Sequence, residues 1–223
     1  MQYYCIQHST SLERMSETVK RPVSKYRKEQ AAATRARIAE AAQRLFARDG
    51  YGSTSTTAIA TEAGVGDRTV FAVFGNKRDI LNDICERWLE RAGARELAQS
   101  TLAEPDSRQR LRGAAHWLTV LYSTDFDVVR ILDAARDEDA DTRSLIRGKL
   151  RGRNGTMDRL IESVSDDLIV PLRQAQSIFR AYAAGGVYEA LVVDGQWSAA
   201  QFDEWLAATL EWQLMAGVAQ ETR

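Results

Sequence analysis

The sequence is poor in proline, cysteine and histidine. Three of its 223 residues are proline, whereas alanine, arginine, leucine and glutamate are abundant, so the composition favours helices over sheets. The two cysteines, Cys5 and Cys85, cannot form a disulfide framework and lack the spacing of metal ligands. The two histidines, His8 and His116, exclude a multi-histidine metal site. We therefore expect neither a metal site nor a cofactor.

Long apolar runs are also missing. The longest uncharged apolar stretch, residues 181–187, is far too short to cross a bilayer, which excludes a membrane-spanning protein and gives no reason to expect a membrane partner. Residues 1–14 lack the basic start and apolar run of a secretory signal, so we expect a cytoplasmic protein. Because Met15 is a plausible alternative start, we expect residues 1–14 to be a dispensable or disordered leader.

Charge is distributed unevenly along the chain. Residues 14–80 hold 13 Lys and Arg against 7 Asp and Glu, whereas residues 81–223 hold 17 against 23. The basic side chains are densest in residues 20–28, and Arg35 and Arg37 follow closely. A basic amino-terminal third on an acidic body indicates contact with a polyanion. A solvated flexible tail explains residues 20–28 equally well.

Apolar residues recur at helical spacing after this basic arm. Ser55 is suited to cap a helix, and Gly64 stands where a helix-turn-helix requires a compact reversal. Ile59 and Val70 are spaced to clamp the two helices of such a motif together. On periodicity alone, any small three-helix bundle would fit as well. The predicted helices cover residues 34–49, 56–63 and 67–74.

The remainder of the chain also has helical periodicity, with no alternating strand pattern and no internal repeat. An unbroken apolar stripe over residues 76–98 predicts one long helix. Gly152, Asn154 and Gly155 are poor helix formers and are expected to loosen the helix that contains them. We predict an all-α fold of about nine helices in total. Those after residue 98 are predicted over residues 106–122, 126–136, 139–164, 171–193 and 199–219.

Several short motifs stand at fixed spacings between residues 34 and 81. They are Leu45–Phe46, Gly50–Tyr51, the Ser/Thr-rich residues 53–57, Ile59–Ala60, Ala63–Gly64–Val65, Thr69–Val70–Phe71, Phe74 and Lys77. This segment resembles the helix-turn-helix domain of TetR-family transcriptional regulators, of the TetR/AcrR type. Residues 81–223 resemble the family only in length and helical character.

The resemblance implies three regions. Residues 1–31 are expected to be a flexible basic leader, residues 32–80 the DNA-binding head with its helix-turn-helix at 55–74, and residues 81–223 a body for ligand binding and dimerisation. It further implies a homodimer that places two recognition helices in successive major grooves of a palindromic operator on double-stranded DNA. A small-molecule effector would release this repressor by shifting the helix over residues 76–98.

The sequence also has to be weighed against other functions. An activator or a ligand-independent regulator of the same fold fits the same residues. An enzyme is not expected, because the sequence has no phosphate-binding Gly-rich loop, no Glu-x-x-His di-metal motif and no second body histidine for a triad. A helical adaptor would explain the body but not the charge and motif spacings of the head.

The residues expected to contact DNA fall into two groups. Phosphate contacts are expected from the hydroxyls and cations Arg35, Ser55, Thr56, Thr57, Thr69 and Lys77. Base contacts are expected from the third helix, where Arg68 suits a guanine edge, Asp67 a cytosine amine and Ala72 a thymine methyl. Phe71, where the family often has tyrosine, would lie against the backbone sugar. Stabilisation of the helix dipole explains Asp67 equally well, and Val70 and Phe74 are expected in the core.

The ligand-binding candidates of the body are mostly aromatic, and each of them would also fit an ordinary core. They are Trp88, His116, Trp117, Tyr122, Phe126, Met157, Phe179 and Tyr182. The last two predicted helices, 171–193 and 199–219, are the dimerisation candidates. Small residues at 181–186 would allow close helix approach, and the second helix has more apolar residues than one core face needs: Trp205, Leu206, Leu210, Trp212 and Leu214.

Overall fold

A computed structural model describes residues 20–216, with side chains from residue 25 onward. Over this range the chain forms eleven α-helices and no β-strand, which confirms the all-α prediction. The predicted leader, residues 1–14, lies outside the described residues. The helices are α1 (Lys20–Asp49), α2 (Thr56–Ala63), α3 (Asp67–Phe74), α4 (Lys77–Arg91), α5 (Ala94–Ala103), α6 (Ser107–Thr124), α7 (Phe126–Ala134), α8 (Ala140–Glu162), α9 (Leu172–Tyr182), α10 (Gly185–Tyr188) and α11 (Ala199–Leu214).

The first helix begins earlier than predicted. Residues 20–33, expected to belong mostly to a flexible arm, continue α1 toward its amino terminus. Lysine, arginine, glutamine, glutamate and alanine dominate this stretch, and all five are good helix formers. The proline at position 22 lies in the first turn, where its missing N–H breaks no helical hydrogen bond. The described side chains of this extension, from Lys25 to Ala33, are exposed.

The turns of the head form as their sequences predict. The Ser55 hydroxyl caps α2 by accepting a hydrogen bond of 3.0 Å from the amide of Ala58. Gly64 ends α2 with φ at +63°, the left-handed region that glycine enters without strain, and α3 starts three residues later. Ile59 and Val70 are both buried between the helices, as expected of the clamp.

Two predicted helices are interrupted in the structure, so eleven helices replace the expected nine. The helix predicted over 76–98 ends at Arg91, because Gly93 takes φ of +57° and redirects the chain into α5. The helix predicted over 171–193 stops at Tyr182, where Ala184 is extended, and resumes as α10 and a π-helical stretch, Glu189–Asp194. The stretch around Gly152 is not loosened, since α8 runs through it without a break.

The core of the body is built around α6, whose buried side chains face its neighbours α5, α8 and α11. Head and body are joined by polar contacts as well as by packing. Asp125, at the start of α7, accepts hydrogen bonds from Gln43 of α1 at 2.7 Å and from Arg91 of α4 at 2.6 Å. Within the described range, none of the helices combines the length and apolar character that a membrane span requires.

Candidate functional site

Helix α3 has one buried face and one exposed face. Val70 and Phe74 are buried against α1, α2 and α4, which confirms their predicted place in the core. Arg68, Phe71 and Ala72 lie on the opposite, exposed face, and the phenyl ring of Phe71 is 73% exposed. A helix of eight residues that offers an arginine and a large apolar ring to solvent is suited to contact another molecule.

The first turns of α2 and α3 are tied together. The Thr57 hydroxyl donates to Oδ2 of Asp67 over 3.1 Å, and Ser55 and Thr56 are exposed beside it. Asp67 lies in the first turn of α3, where a carboxylate also interacts favourably with the helix dipole. These contacts support the structural role of Asp67, and its base contact stays a prediction. Thr69 is half-buried in the same first turn.

Arg35 of α1 holds α3 and α4 in place. Its Nε donates to Asp83 over 2.8 Å, and its Nη1 donates to the carbonyl oxygen of Val73 over 3.1 Å. The guanidinium lies 4.2 Å from the ring centroid of Phe74, in a cation–π contact. Arg35 thus fixes the carboxyl end of α3, and its contact with a DNA phosphate stays a prediction.

Lys77 has a comparable role at the loop between α1 and α2. Its ammonium donates to the carbonyl oxygens of Tyr51 at 2.6 Å, Thr54 at 3.1 Å and Gly52 at 3.4 Å, and it lies 4.3 Å from the centroid of the Tyr51 ring. Partial burial lowers the pKa of this ammonium. Because three carbonyls already use its three donors, Lys77 fixes the loop that precedes Ser55. Its phosphate contact stays a prediction.

A cavity of about 890 Å³ opens among α4, α5, α6, α7 and α8 of the body. Two of the predicted ligand-binding residues, Trp88 and Trp117, line it. The indole N–H of Trp88 donates to the carbonyl of Leu121 over 2.8 Å, and that of Trp117 donates to the carbonyl of Ala94 over 2.7 Å. Both rings are therefore fixed with their polar edges satisfied.

The other six predicted ligand-binding residues do not line this cavity. Tyr122, Met157 and Phe179 are fully buried in the core, and Phe126 and Tyr182 are half-buried outside the cavity wall. Tyr122 donates its hydroxyl proton to the carbonyl oxygen of Ala183 at the end of α9, and the ring of Tyr182 lies 5.7 Å from that of Trp205 of α11. Tyr122 and Phe126 belong to an aromatic cluster with Tyr188 and Phe202.

His116 is placed on the surface of the body. Its Nδ1 lies 2.7 Å from Oδ2 of Asp203, so the pair joins α6 to α11. The sequence offered no partner for this histidine, and Asp203 lies 87 positions away along the chain. The pair links the two helices outside the cavity among α4–α8.

Several wall residues of the cavity were not among the sequence-based candidates. Gly148, Gly152 and Thr156 follow each other at intervals of four along α8 and face the cavity. A Cβ atom added at Gly152 would have no neighbour within 4 Å. Small residues at intervals of four leave open space along one side of a helix, and this pattern could have indicated the cavity wall from the sequence. Lys149 and Arg153 stand next to them and are the half-buried basic residues of this wall, whereas Arg95 and Arg159 are exposed.

Comparison with known proteins gives a family match over part of the chain. Residues 38–84 match the family model of bacterial regulatory proteins, tetR family. No curated protein matches the chain in sequence. The residues matched by the family model include the helix-turn-helix and all of the motifs on which the resemblance rests.

Three solved structures share the fold over most of their length. NalD of Pseudomonas aeruginosa, the secondary repressor of a multidrug efflux pump, is 20% identical with a TM-score of 0.68, over 85% of this chain and 100% of that chain. FadR of Bacillus subtilis in complex with stearoyl-CoA is 19% identical with a TM-score of 0.63, over 78% and 96%. A protein of Saccharomonospora viridis in complex with choline is 21% identical with a TM-score of 0.66, over 83% and 100%. Residues 38–84 thus match the tetR family of bacterial regulatory proteins, and head and body together share the all-α fold of these structures.

Proposed function

We propose that the chain is a cytoplasmic repressor that binds a palindromic operator as a homodimer and is released from it by a small molecule. The observation that carries this proposal is the arrangement of α3 and α4. Helix α3 offers Arg68, Phe71 and Ala72 to solvent, and α4, which follows it directly, forms one wall of the body cavity. A ligand that moves α4 would also move the base of α3.

In this proposal the exposed face of α3 enters the major groove. Arg68 donates to a guanine edge and the methyl of Ala72 meets a thymine methyl, while Phe71 packs on the sugar backbone. Ser55, Thr56, Thr57 and Thr69 bind phosphate oxygens together with the amides at the helix starts. The basic side chains of the α1 extension add affinity that falls with salt.

Dimerisation is proposed through α9 and α11. Leu206, Leu210 and Leu214 of α11 are buried in the chain's own core, so they supply no surface for a partner. Trp212 on the same helix is 80% exposed, and Ala208, one turn before it, is exposed as well. A large exposed aromatic ring beside a small residue is typical of an anchor in a protein interface.

The variant Trp212→Arg tests this interface. We expect it to raise the dimer dissociation constant about 30-fold or more in sedimentation equilibrium, because burial of the ring is lost and two like charges meet near the dyad. Phe71→Arg is the matched control, since it replaces another exposed ring with arginine but in the head. A dimer of unchanged stability in Trp212→Arg would place the interface elsewhere.

Contacts between head and body suggest how ligand binding would reach α3. The buried hydroxyl pair of Tyr51 and Thr142 joins the head loop to the start of α8, with 3.3 Å between the oxygens. Arg78 of α4 pairs with Asp141 of α8 at 2.6 Å. Since α8 also lines the cavity, a shift of α8 or α4 on ligand binding would be transmitted to the head.

The proposal is tested by measuring affinity for duplex DNA from the promoter region of the chain's own gene, with and without ligand. We expect binding that weakens steeply with salt, as phosphate contacts require, and that exceeds the affinity for a scrambled duplex of equal length. Arg68→Ala is expected to reduce the sequence preference by about 1–3 kcal/mol. Equal affinity for both duplexes would contradict the proposal.

A further inference from the structure

The cavity among α4–α8 has a mostly apolar wall with a small number of charged side chains. Its apolar lining includes Trp88, Leu121, Val129, Ile146 and Leu150. A wall of this kind buries the apolar part of a ligand, and the few polar groups determine its orientation. The charged residues of the wall therefore indicate which class of ligand head fits.

The charged residues of the cavity wall differ in how deeply their side chains are buried. The four acidic ones, Glu86, Glu90, Glu96 and Asp133, are exposed, and so are the basic Arg95 and Arg159. The two that the wall half-buries are both basic, Lys149 and Arg153. Lys149 is paired with Glu86, and Asp133 is paired with Arg136 at 2.7 Å. The inner part of the cavity is thus positively charged, with Arg153 as the cation that no carboxylate neutralises among the side chains described.

The contacts of Arg153 leave one edge of its guanidinium weakly bound. Nη1 donates to the hydroxyl of Tyr122 at 3.0 Å and to the carbonyl of Ala183 at 3.3 Å. Nη2 donates only to the side-chain oxygen of Asn154, over 3.4 Å, and the buried Nε has no acceptor in the described part of the chain. All three acceptors are neutral, so the charge is half-buried without a counter-ion, which is unfavourable. A carboxylate that meets this guanidinium from the cavity would supply the missing counter-charge through a charge-assisted hydrogen bond.

We infer that the cavity binds an amphipathic anion whose carboxylate pairs with Arg153 and whose apolar chain or ring system lies between Trp88 and Trp117. This inference rests on the proposed function only in that it names the effector class of the same site. An organic cation is disfavoured, because its charge would approach Arg153 in surroundings of low dielectric constant. A neutral ligand would leave the charge of Arg153 without a counter-ion.

Three ligands with the same alkyl chain test the charge class by isothermal titration calorimetry without DNA. They are dodecanoate and dodecyltrimethylammonium, each below its critical micelle concentration, and dodecanol below its solubility in water. We expect dodecanoate to bind about 10- to 100-fold more tightly than dodecanol, as a charge-assisted pair provides, and the ammonium compound to bind most weakly. Equal affinities, tighter binding of the ammonium compound, or binding of none of the three would overturn the inference.

Variants of α8 test the place of the carboxylate. Arg153→Gln is expected to remove the preference for dodecanoate and to leave the affinity for dodecanol unchanged, which a general loss of structure would not do. Arg153→Lys keeps the charge without the planar guanidinium and should recover part of the preference. The matched control is Arg151→Gln, two residues away, exposed and outside the cavity wall. A preference that survives Arg153→Gln would overturn the assignment.

A second pair of variants tests whether the chain lies in the cavity. Gly152→Leu places a side chain in the open space beside α8 and should weaken all cavity ligands at least about 10-fold. Gly155→Leu is the control, since Gly155 also has no neighbour within 4 Å of an added Cβ but does not line the cavity. Equal losses in both variants, or none in Gly152→Leu, would overturn the placement.

The proposed release from DNA by a ligand and the proposed ligand class can be contradicted independently of each other. If dodecanoate binds through Arg153 but leaves the affinity for operator DNA unchanged, the ligand class stands and release by ligand is wrong. If another ligand class releases the DNA while dodecanoate does not bind, release stands and the ligand class is wrong.

Discussion

The head and the body cavity differ in how their basic side chains are satisfied. In the head, Lys77 donates to three backbone carbonyls, and Arg35 binds Asp83, a carbonyl and the face of Phe74. In the cavity wall, Arg153 has neutral partners only and a buried Nε without an acceptor. The head thus uses its inner cations to hold α3 and the loop before α2, whereas the body keeps one that a ligand would satisfy.

The largest expected effect comes from the two phenylalanines of α3, which test whether this helix has one buried and one exposed face. Phe74→Ala is expected to lower the free energy of unfolding by about 3–5 kcal/mol, because it leaves a cavity under the guanidinium of Arg35. Phe71→Ala, three residues earlier and exposed, should change it by no more than about 0.5 kcal/mol. Urea denaturation measures both, and DNA affinity should fall in Phe71→Ala despite its unchanged stability. Similar losses of stability in the two variants would contradict the division of α3 into two faces.

Lys77 either only holds the head loop in place or also contacts a DNA phosphate, and one variant distinguishes the two roles. Lys77→Met should lower the free energy of unfolding by about 1.5–3 kcal/mol, since carbonyls of the head loop lose a charged donor. If Lys77 serves the loop alone, the dependence of log affinity on log salt keeps its slope. A slope reduced by about 1 would instead establish the phosphate contact. Fluorescence anisotropy with a labelled duplex over a salt series distinguishes the two.

The contact between Tyr51 and Thr142 tests how firmly head and body are joined. Thr142 donates its hydroxyl proton to Asp139 over 2.7 Å, so Tyr51 is the donor in their mutual bond. A double-mutant cycle of Tyr51→Phe and Thr142→Val should give a coupling of about 0.5–1.5 kcal/mol. The cycle removes the separate loss of the Asp139 bond. Zero coupling would mean that this bond does not contribute to the attachment of the head.

The smallest expected effect concerns the thiol of Cys85, whose side chain is buried at the cavity, and is seen in its reactivity and in the pH dependence of stability. Burial raises the pKa of its thiol to about 12. In a Cys5→Ser background, Ellman's reagent at about pH 8 should therefore leave the native protein unmodified, although an exposed thiol reacts there. Because the folded state keeps the proton longer than the unfolded state, this thiol lowers stability as the pH rises from about 9 toward 12. Rapid stoichiometric modification at about pH 8 would contradict the burial.

The head could be predicted from the sequence because its signals are local. Ser55 as a cap and Gly64 as a left-handed turn lie within a few residues of the structure they determine. The break at Gly93 was missed because the apolar stripe continues across it, although an interior glycine is a known weak point of a helix.

The cavity could be predicted only in part, since its walls depend on which helices meet. Trp88 and Trp117 line the cavity, but Tyr122 and Phe179 turn toward other helices, and no local pattern specifies that rotation. Arg153 is one of many arginines in the sequence. Its lack of a charged partner depends on tertiary contacts with α6 and with the carboxyl end of α9.

The most direct test of the central claim is selection of binding sites from a randomised duplex library with the purified full chain. Two copies of α3 that read one operator should enrich an inverted repeat whose half-sites lie about 34–36 Å apart, or a multiple of that distance. The selected duplex should bind two or more chains, and Arg68→Ala should lose most of the enrichment. Enrichment of no sequence, or of a site without internal symmetry, would contradict the account.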